Sequence, residues 1–217
     1  MSLSKGDPRA RKIDVVFAKV CGLTAVETVD VAVSAGADAV GVVMNRTSPR
    51  AIDEPLAARI VDAARGQVDT VLVVNDMPAA DAARLAARLG VDVLQLHGTY
   101  TADDFADALA VFPRLWRATS LRHDPPLQVG AYGEQALLLD APRPGSGEQW
   151  DYRALAGKGL DGDWILAGGL RPDNVADAIA QAHPWGVDVS SGVESAPGVK
   201  DHGAIREFLS VVRATEG

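Results

Sequence analysis

Residues 14–27 read DVVFAKVCGLTAVE, and this one stretch contains the unit from which we predict the fold. An apolar run of strand length ends at Cys21, and Gly22 then supplies a turn. Thr24 follows as a helix start, with Glu27 in the first turn. The stretch therefore indicates a β-strand that passes directly into an α-helix.

The same strand-then-helix pattern recurs along the chain. Apolar runs rich in Val, Leu and Ile, without clean polar alternation, are typical of strands that are buried on both faces in a parallel sheet. The predicted strands cover residues 15–20, 38–44, 70–75, 91–96, 115–119, 135–140, 163–167 and 186–190. Helices are predicted over residues 24–35, 53–65, 78–89 and 101–111, with Gly90 and Pro113 as stop signals. The pattern is that of a βα unit repeated eight times.

Eight such units in 217 residues, with no linker between them, predict a single-domain (β/α)8 TIM barrel of the α/β class. An open, doubly wound sheet is the alternative. We expect residues 15–217 to form the barrel. Residues 1–14 are mostly polar and lack periodicity, so we expect a disordered leader there.

The composition of the chain bears on its cell compartment and on whether it binds membranes, nucleic acid or metal ions. The chain has one cysteine, which cannot form an internal disulfide, and it lacks an apolar run long enough to span a membrane. We therefore expect a cytoplasmic protein without a membrane partner. A net charge of −8 and a pI near 4.9 argue against nucleic acid as a partner. The four histidines show no metal-ligand spacing with the cysteine, so no metal is predicted.

Polar residues follow several of the predicted strands, at the end of the barrel where active sites of this fold lie. Cys21 and His97 come at the ends of strands 1 and 4, Asp140 ends strand 6, and Arg50 lies in the loop after strand 2. Taken singly, a cysteine often packs as a small apolar side chain, and a histidine can be a satisfied core residue. Taken together, these residues predict a site.

Six short motifs, in this order, resemble the phosphoribosylanthranilate isomerase family of tryptophan biosynthesis: KVCGLT, SPR, LQLHG, LLLD, LAGGLRPDNV and GVDVSSGVESAPGVKD. The resemblance covers about residues 18–209. It implies a (β/α)8 barrel that converts a small phosphorylated aminosugar, N-(5-phosphoribosyl)anthranilate, into its 1-deoxyribulose isomer by an Amadori rearrangement. It also implies that the reaction uses no cofactor. We expect the chain to be a monomer or a homodimer.

The resemblance implies that Cys21 is the general base and Asp140 the general acid of this reaction. A thiol with an ordinary pKa of about 8.5 must be partly ionised to act as a base. A carboxyl group with an ordinary pKa of about 4 must hold a proton near neutral pH to act as an acid. We therefore expect the two environments to shift these pKa values in opposite directions. The alternative for Asp140 is a residue that caps the turn before Pro142.

The substrate carries a ring carboxylate and a sugar phosphate, which require two anion sites. Arg50 matches the family's ligand for the carboxylate, and Arg46 is the nearby alternative. The loops after strands 7 and 8 are the customary phosphate site of this fold, which uses backbone amides. The residues that fit this site are Gly168, Gly169, Ser191 and Gly192.

Side chains alternate in direction along a strand, which predicts further residues of the barrel mouth. Gln95 and His97 share parity on strand 4, so we expect both to point into the mouth as substrate ligands. The loop after strand 6 contains Arg143, which we expect to add positive charge as the loop closes over the ligand.

The same alternation predicts an ion pair beneath the cysteine. Lys19 lies two residues before Cys21, and Asp188 lies two residues before Ser190 on strand 8. We also expect Asp188 and Ser190 to be among the residues that bind the substrate. Closure of the barrel makes strands 1 and 8 neighbours, so Lys19 and Asp188 meet inside it. The ammonium group would also favour a thiolate at Cys21.

Two other functions fit the same fold. A histidine-pathway isomerase performs a similar rearrangement, but that family has aspartates at the ends of strands 1 and 5. In this chain strand 1 ends at Cys21 and strand 5 runs into Thr119 and Ser120, which makes a bifunctional enzyme the weaker alternative. The other is a barrel that binds a phosphorylated metabolite without catalysis.

Overall fold

A computed structural model describes residues 15–141, 152–155 and 158–215, and in it eight parallel strands close into one barrel. The strands are β1 Phe17–Cys21, β2 Ala39–Val43, β3 Asp69–Val74, β4 Val93–His97, β5 Leu115–Ser120, β6 Ala136–Asp140, β7 Trp164–Leu166 and β8 Gly186–Val189. All eight predicted strands are confirmed. Because β8 pairs with β1, the alternative of an open sheet is wrong. The predicted leader and Arg143 lie outside the described residues.

Six α-helices are present among the described residues, and they pack around the barrel. They are α1 Glu27–Ser34, α2 Glu54–Ala64, α3 Ala79–Leu89, α4 Ala102–Leu109, α5 Val175–Ala182 and α6 His202–Ala214. Asp53 begins α2 by accepting a hydrogen bond from the backbone N–H of Leu56 at 2.9 Å. Gly90 ends α3 in the left-handed conformation, with φ 67°. The four predicted helices are confirmed in slightly shorter form.

The prediction of a helix after every strand is wrong between β5 and β6. Only a 3₁₀ turn, Leu121–His123, follows β5, and an irregular segment then leads to β6. Pro125 and Pro126 lack backbone donors, and Gly130 and Gly133 adopt positive φ. These residues interrupt the hydrogen bonding that an α-helix requires.

The core has two layers. One lies between the strands and the helices, and the other fills the barrel, where the larger side chains include Val71, Val73, Trp116, Leu138 and Ile165. Phe17 stacks on Trp185 near the amino ends of the strands, with ring centroids 4.5 Å apart. The apolar filling thus closes this end of the barrel and leaves the carboxyl ends for polar side chains.

A short hairpin follows β8 and packs beside the barrel mouth. Its strands are β9 Glu194–Ala196 and β10 Val199–Lys200, which pair antiparallel. The hydroxyl of Thr24 donates a hydrogen bond to the carbonyl of Gly198 at the hairpin's turn, at 2.7 Å. The hairpin is thereby tied to the loop after β1.

Candidate active site

A cavity of about 340 Å³ opens at the carboxyl ends of the strands. It brings together seven of the residues predicted from the sequence: Cys21, Arg50, Gln95, His97, Asp140, Asp188 and Ser190. The remaining four, in the loops after β7 and β8, do not line this cavity. The cavity therefore holds both residues assigned to proton transfer and one of the two predicted anion sites.

Cys21 ends β1, and its backbone is fixed from two neighbouring strands. The hydroxyl of Ser190 donates a hydrogen bond to the carbonyl of Cys21 at 3.0 Å. The backbone N–H of Gly22 bonds to the carbonyl of Gly41 on β2 at 2.9 Å. A Cβ atom at Gly41 would lie 2.8 Å from the sulfur of Cys21 and 3.2 Å from Cε of Lys19. A glycine is therefore needed at this position to leave room for the thiol.

The predicted ion pair between Lys19 and Asp188 is confirmed. The two residues are register partners across the β1–β8 seam, and Nζ of Lys19 lies 2.9 Å from Oδ1 of Asp188. Lys19 is fully buried. Burial alone would lower the pKa of Lys19, but the carboxylate of Asp188 and the thiol of Cys21 raise it above its ordinary value. Burial also raises the pKa of Asp188, and the ammonium of Lys19, in hydrogen-bond contact with it, opposes that shift. The lysine is therefore a fixed positive charge beneath the thiol.

Burial raises the pKa of both groups assigned to proton transfer. The pKa of Asp140 rises to about 7, chiefly through burial, although the N–H of Ala141 opposes the shift with a 2.7 Å hydrogen bond. Burial also raises the pKa of the Cys21 thiol, and the ammonium of Lys19 only partly offsets this. The expectation of opposite shifts is thus wrong, because burial of the two groups disfavours both anions.

His97 lies next to the carboxyl group of Asp140, with Nε2 3.7 Å from Oδ2. Burial lowers the pKa of His97 to about 4, so its imidazole is neutral near pH 7. The contact therefore joins a neutral imidazole to the carboxyl group of Asp140. Because the imidazole carries no charge, it does not lower the raised pKa of Asp140.

Gln95 lies deeper in the same cavity on β4. Its side-chain oxygen is buried and accepts no hydrogen bond from the described part of the chain. An unpaired buried carbonyl is costly, so this oxygen is available to a donor on a ligand.

Arg50 lines the cavity from the loop between β2 and α2. The N–H of Ile52 bonds to the carbonyl of Val43 at 3.1 Å, which returns the loop to the end of β2. Arg46, the alternative candidate, points away: its side chain is 87% exposed and pairs with Asp76 at 3.0 Å. The geometry therefore favours Arg50 as the cation of the cavity.

The loops after β7 and β8 lie against each other beside the cavity. Gly168 has φ 88°, and a Cβ atom there would lie 2.8 Å from Oδ1 of Asp140. A Cβ atom at Gly192 would overlap the carbonyl of Leu170. Asn174 fixes the first loop by donating to the carbonyl of Gly169 at 2.9 Å. These contacts require glycine at positions 168 and 192. That Gly168, Gly169, Ser191 and Gly192 bind phosphate stays a prediction.

Several residues of the site were missed by the sequence analysis. Asn75, directly after β3, lines the cavity, as do Asn45 and Ser48 in the loop before α2. Asn75 could have been found, because it is a polar residue at a strand end like the others. Glu194 contacts Arg50, and Lys200 contacts Glu194. Both residues lie beyond the last barrel strand, so they are not polar residues at a strand end of the barrel.

Two features are absent from the described ranges, 15–141, 152–155 and 158–215. No group of three or more His, Cys, Asp or Glu side chains in them could hold a metal ion. Nor does any helix in these ranges have the length and apolar character needed to cross a membrane.

The chain is similar to known proteins in both sequence and fold. Residues 18–211 match the family model for N-(5′-phosphoribosyl)anthranilate (PRA) isomerase. The chain is 38% identical to N-(5′-phosphoribosyl)anthranilate isomerase of Pelobacter propionicus, over 93% of this chain and 97% of the relative. The crystal structure of TrpF from Jonesia denitrificans is 55% identical, with a TM-score of 0.87 over 93% of this chain and 98% of that one.

A second similar structure was solved with a ligand. It is a phosphoribosyl anthranilate isomerase in complex with reduced 1-(o-carboxyphenylamino)-1-deoxyribulose 5-phosphate. It is 30% identical, with a TM-score of 0.81, and the match covers 92% of this chain and all of that one.

The Lys19–Asp188 pair can be tested with Lys19→Met. We expect this change to lower the free energy of unfolding by about 3 to 5 kcal/mol, because it leaves a carboxylate buried without a partner. It should also raise the pKa of the Cys21 thiol, since the nearest cation is gone. Denaturant titration and pH-dependent alkylation of the thiol measure the two effects.

Arg117→Met is the matched control, because Arg117 forms a buried pair with Glu134 on the outer side of β5, at 2.7 Å. It should cost similar stability and leave the thiol titration unchanged. A stable Lys19→Met variant whose thiol titrates as in the wild type would contradict the assignment.

Proposed function

Because the chain belongs to the N-(5′-phosphoribosyl)anthranilate isomerase family, we propose that its reaction uses Cys21 as the general base and Asp140 as the general acid. The reaction converts N-(5-phosphoribosyl)anthranilate to 1-(2-carboxyphenylamino)-1-deoxyribulose 5-phosphate, in tryptophan biosynthesis. The observation that carries the proposal is that a thiol and a largely buried carboxyl group line one cavity.

Asp140 supplies the first proton. With a pKa of about 7, a substantial fraction of its carboxyl groups is protonated near neutral pH. The proton passes to the ring oxygen of the furanose as the bond between this oxygen and C1 breaks. The nitrogen lone pair forms a double bond to C1, which gives a protonated Schiff base.

Cys21 then removes the proton from C2 as a thiolate. The electrons of the C2–H bond form a C1–C2 double bond, and those of the C1–N double bond return to nitrogen, so an enaminol results. The enaminol becomes the ketone when C1 gains a proton and the C2 hydroxyl loses one. Lys19 supports the thiolate from below, against the cost of burial.

The anionic groups of the substrate bind at two places in this proposal. Arg50 donates to the ring carboxylate, and the paired loops after β7 and β8 bind the phosphate through backbone amides. The similar structure that contains the reduced deoxyribulose 5-phosphate supports a ligand with both anionic groups. The unpaired oxygen of Gln95 accepts a hydrogen bond from a hydroxyl or amine of the substrate.

The substrate is thus a free phosphorylated small molecule. A cytoplasmic location and a monomeric or homodimeric state stay predictions of the sequence.

The pH dependence of the reaction tests the roles of both groups. For the wild type we expect kcat/KM to rise up to about pH 7, to stay level up to the pKa of the thiol, and then to fall. The reason is that below pH 7 the thiolate fraction grows with pH, whereas above it this growth is offset by deprotonation of Asp140. At high pH the thiolate is saturated and only the loss of acid remains.

In Asp140→Asn, we expect kcat/KM to fall by about two powers of ten or more, because the amide cannot donate a carboxylic proton. The break near pH 7 should vanish, so that the residual rate rises up to the pKa of the thiol. Near-normal turnover by this variant, or a break at pH 7 that persists, would assign the acid role to another group.

Arg50→Ala tests the carboxylate site. Loss of a charge-assisted contact costs about 1.5 to 3 kcal/mol, which corresponds to a reduction of roughly 10-fold to 150-fold in kcat/KM. Inhibition by inorganic phosphate should be nearly unchanged, because phosphate binds at the other loops. An unchanged kcat/KM, or an equal loss of phosphate inhibition, would contradict the assignment.

A further inference from the structure

A buried cluster of three charged side chains lies at the edge of the cavity. One oxygen of Glu194 accepts hydrogen bonds from Nε of Arg50 at 2.7 Å and from Nζ of Lys200 at 2.8 Å. The other accepts from Nη2 of Arg50 at 2.9 Å and from the N–H of Gly198 at 3.3 Å. The carboxylate of Glu194 is therefore fully used within the protein.

The cluster carries an uncancelled positive charge. Arg50 and Lys200 share one carboxylate, and the exposed fractions of the three side chains are 10% for Arg50, 1% for Lys200 and 5% for Glu194. Glu194 stays ionised, because the two cations hold its pKa below its ordinary value despite burial. Burial lowers the pKa of Lys200, and the carboxylate of Glu194 opposes this shift, which favours the ammonium form. A buried excess charge is costly unless an anion balances it. The cluster therefore favours an anionic ligand in the cavity.

The hydrogen bonds to Glu194 also decide which side of the guanidinium remains available. They occupy the edge formed by Nε and Nη2 of Arg50. No acceptor among the described residues bonds to Nη1 of Arg50. The free edge, formed by Nη1 and the outer N–H of Nη2, has two parallel donors that match a carboxylate.

The hairpin holds Glu194 in place. Glu194 and Lys200 are partners across β9 and β10, and Nζ of Lys200 also donates to the carbonyl of Ser190 at 2.8 Å. A Cβ atom at Gly198 would lie 2.5 Å from the carbonyl oxygen of Pro49, so the hairpin turn touches the loop that carries Arg50. The guanidinium is thus clamped between two loops and cannot rotate freely.

We propose that Glu194 and Lys200 are positioning residues for Arg50: Glu194 fixes the guanidinium so that its free edge faces the cavity, and Lys200 neutralises Glu194. The positive charge of Arg50 is then left for the ligand. This inference rests on the proposed function, since the ligand group is the ring carboxylate of the substrate. Recognition of the carboxylate then depends on the β9–β10 hairpin as well as on the loop after β2.

The inference is tested with Glu194→Gln, which keeps the size of the side chain but has one oxygen acceptor in place of two. We expect KM for phosphoribosylanthranilate to rise roughly tenfold, while kcat changes less than about twofold, because the reacting atoms are untouched. The affinity for anthranilate alone, measured by its fluorescence, should fall by a similar factor.

Two controls separate positioning from general stability. Glu134→Gln weakens the equally buried pair with Arg117, remote from the cavity, so it should lower the melting temperature and leave KM unchanged. The double variant Arg50→Ala/Glu194→Gln should bind anthranilate no more weakly than Arg50→Ala alone, because Glu194 acts only through Arg50. An unchanged KM in Glu194→Gln, or losses that add in the double variant, would overturn the inference.

If Glu194→Gln does not fold, Lys200→Met tests the other half of the proposal. Without Lys200, Glu194 cancels the charge of Arg50, so anthranilate affinity should fall severalfold; unchanged affinity would overturn the inference. Failure of the proposed function is a separate outcome: wild-type protein would bind anthranilate through Arg50 yet leave phosphoribosylanthranilate unconverted.

Discussion

The ion pair between Lys19 and Asp188 joins the fold to the chemistry. A fully buried ammonium requires an anionic partner, and Asp188 reaches it only because β8 closes the barrel against β1. The same seam carries the hydrogen bond from Ser190 to the carbonyl of Cys21. Closure, the placement of the thiol and the positive charge beneath it are therefore one structural arrangement. In an open sheet, Lys19 would lack its partner Asp188, and Cys21 would lack the hydrogen bond from Ser190.

Much of this arrangement could be predicted from local sequence, and some could not. The eight strands follow from apolar runs, and the Lys19–Asp188 pair follows from strand parity together with closure of the barrel. The absence of a helix after β5 was signalled by Pro125 and Pro126 but was obscured by the regular repeat. Arg50 lies in a loop and Glu194 in a hairpin outside the barrel, where neither strand parity nor closure indicates which side chains meet. Family resemblance supplied the roles of Cys21 and Asp140, and the structure supplies their common cavity.

Electrostatics divide the cavity into two parts with different tasks. Burial keeps a proton on Asp140 near neutral pH, and it also disfavours the thiolate of Cys21, which the chemistry needs. Under the proposed function, only a small fraction of the thiol is therefore ionised and able to act as the base near neutral pH. At the edge of the cavity, Arg50 and Lys200 share the single carboxylate of Glu194, so this cluster has a net positive charge. The charge of Arg50 also lowers the pKa of Asp140, so under the proposed function a substrate carboxylate that pairs with Arg50 would raise the pKa of Asp140 further.

Under the proposed function, the decisive step is the removal of the proton from C2 of the substrate by Cys21. Its most direct test is the conversion of phosphoribosylanthranilate, followed by the loss of substrate fluorescence, with wild-type protein and with Cys21→Ser. A serine hydroxyl is a far weaker acid than a thiol, so hardly any of it is ionised at neutral pH. We expect efficient turnover by the wild type and a reduction in kcat/KM of about 100-fold or more in the variant. Equal rates for the two proteins would contradict it.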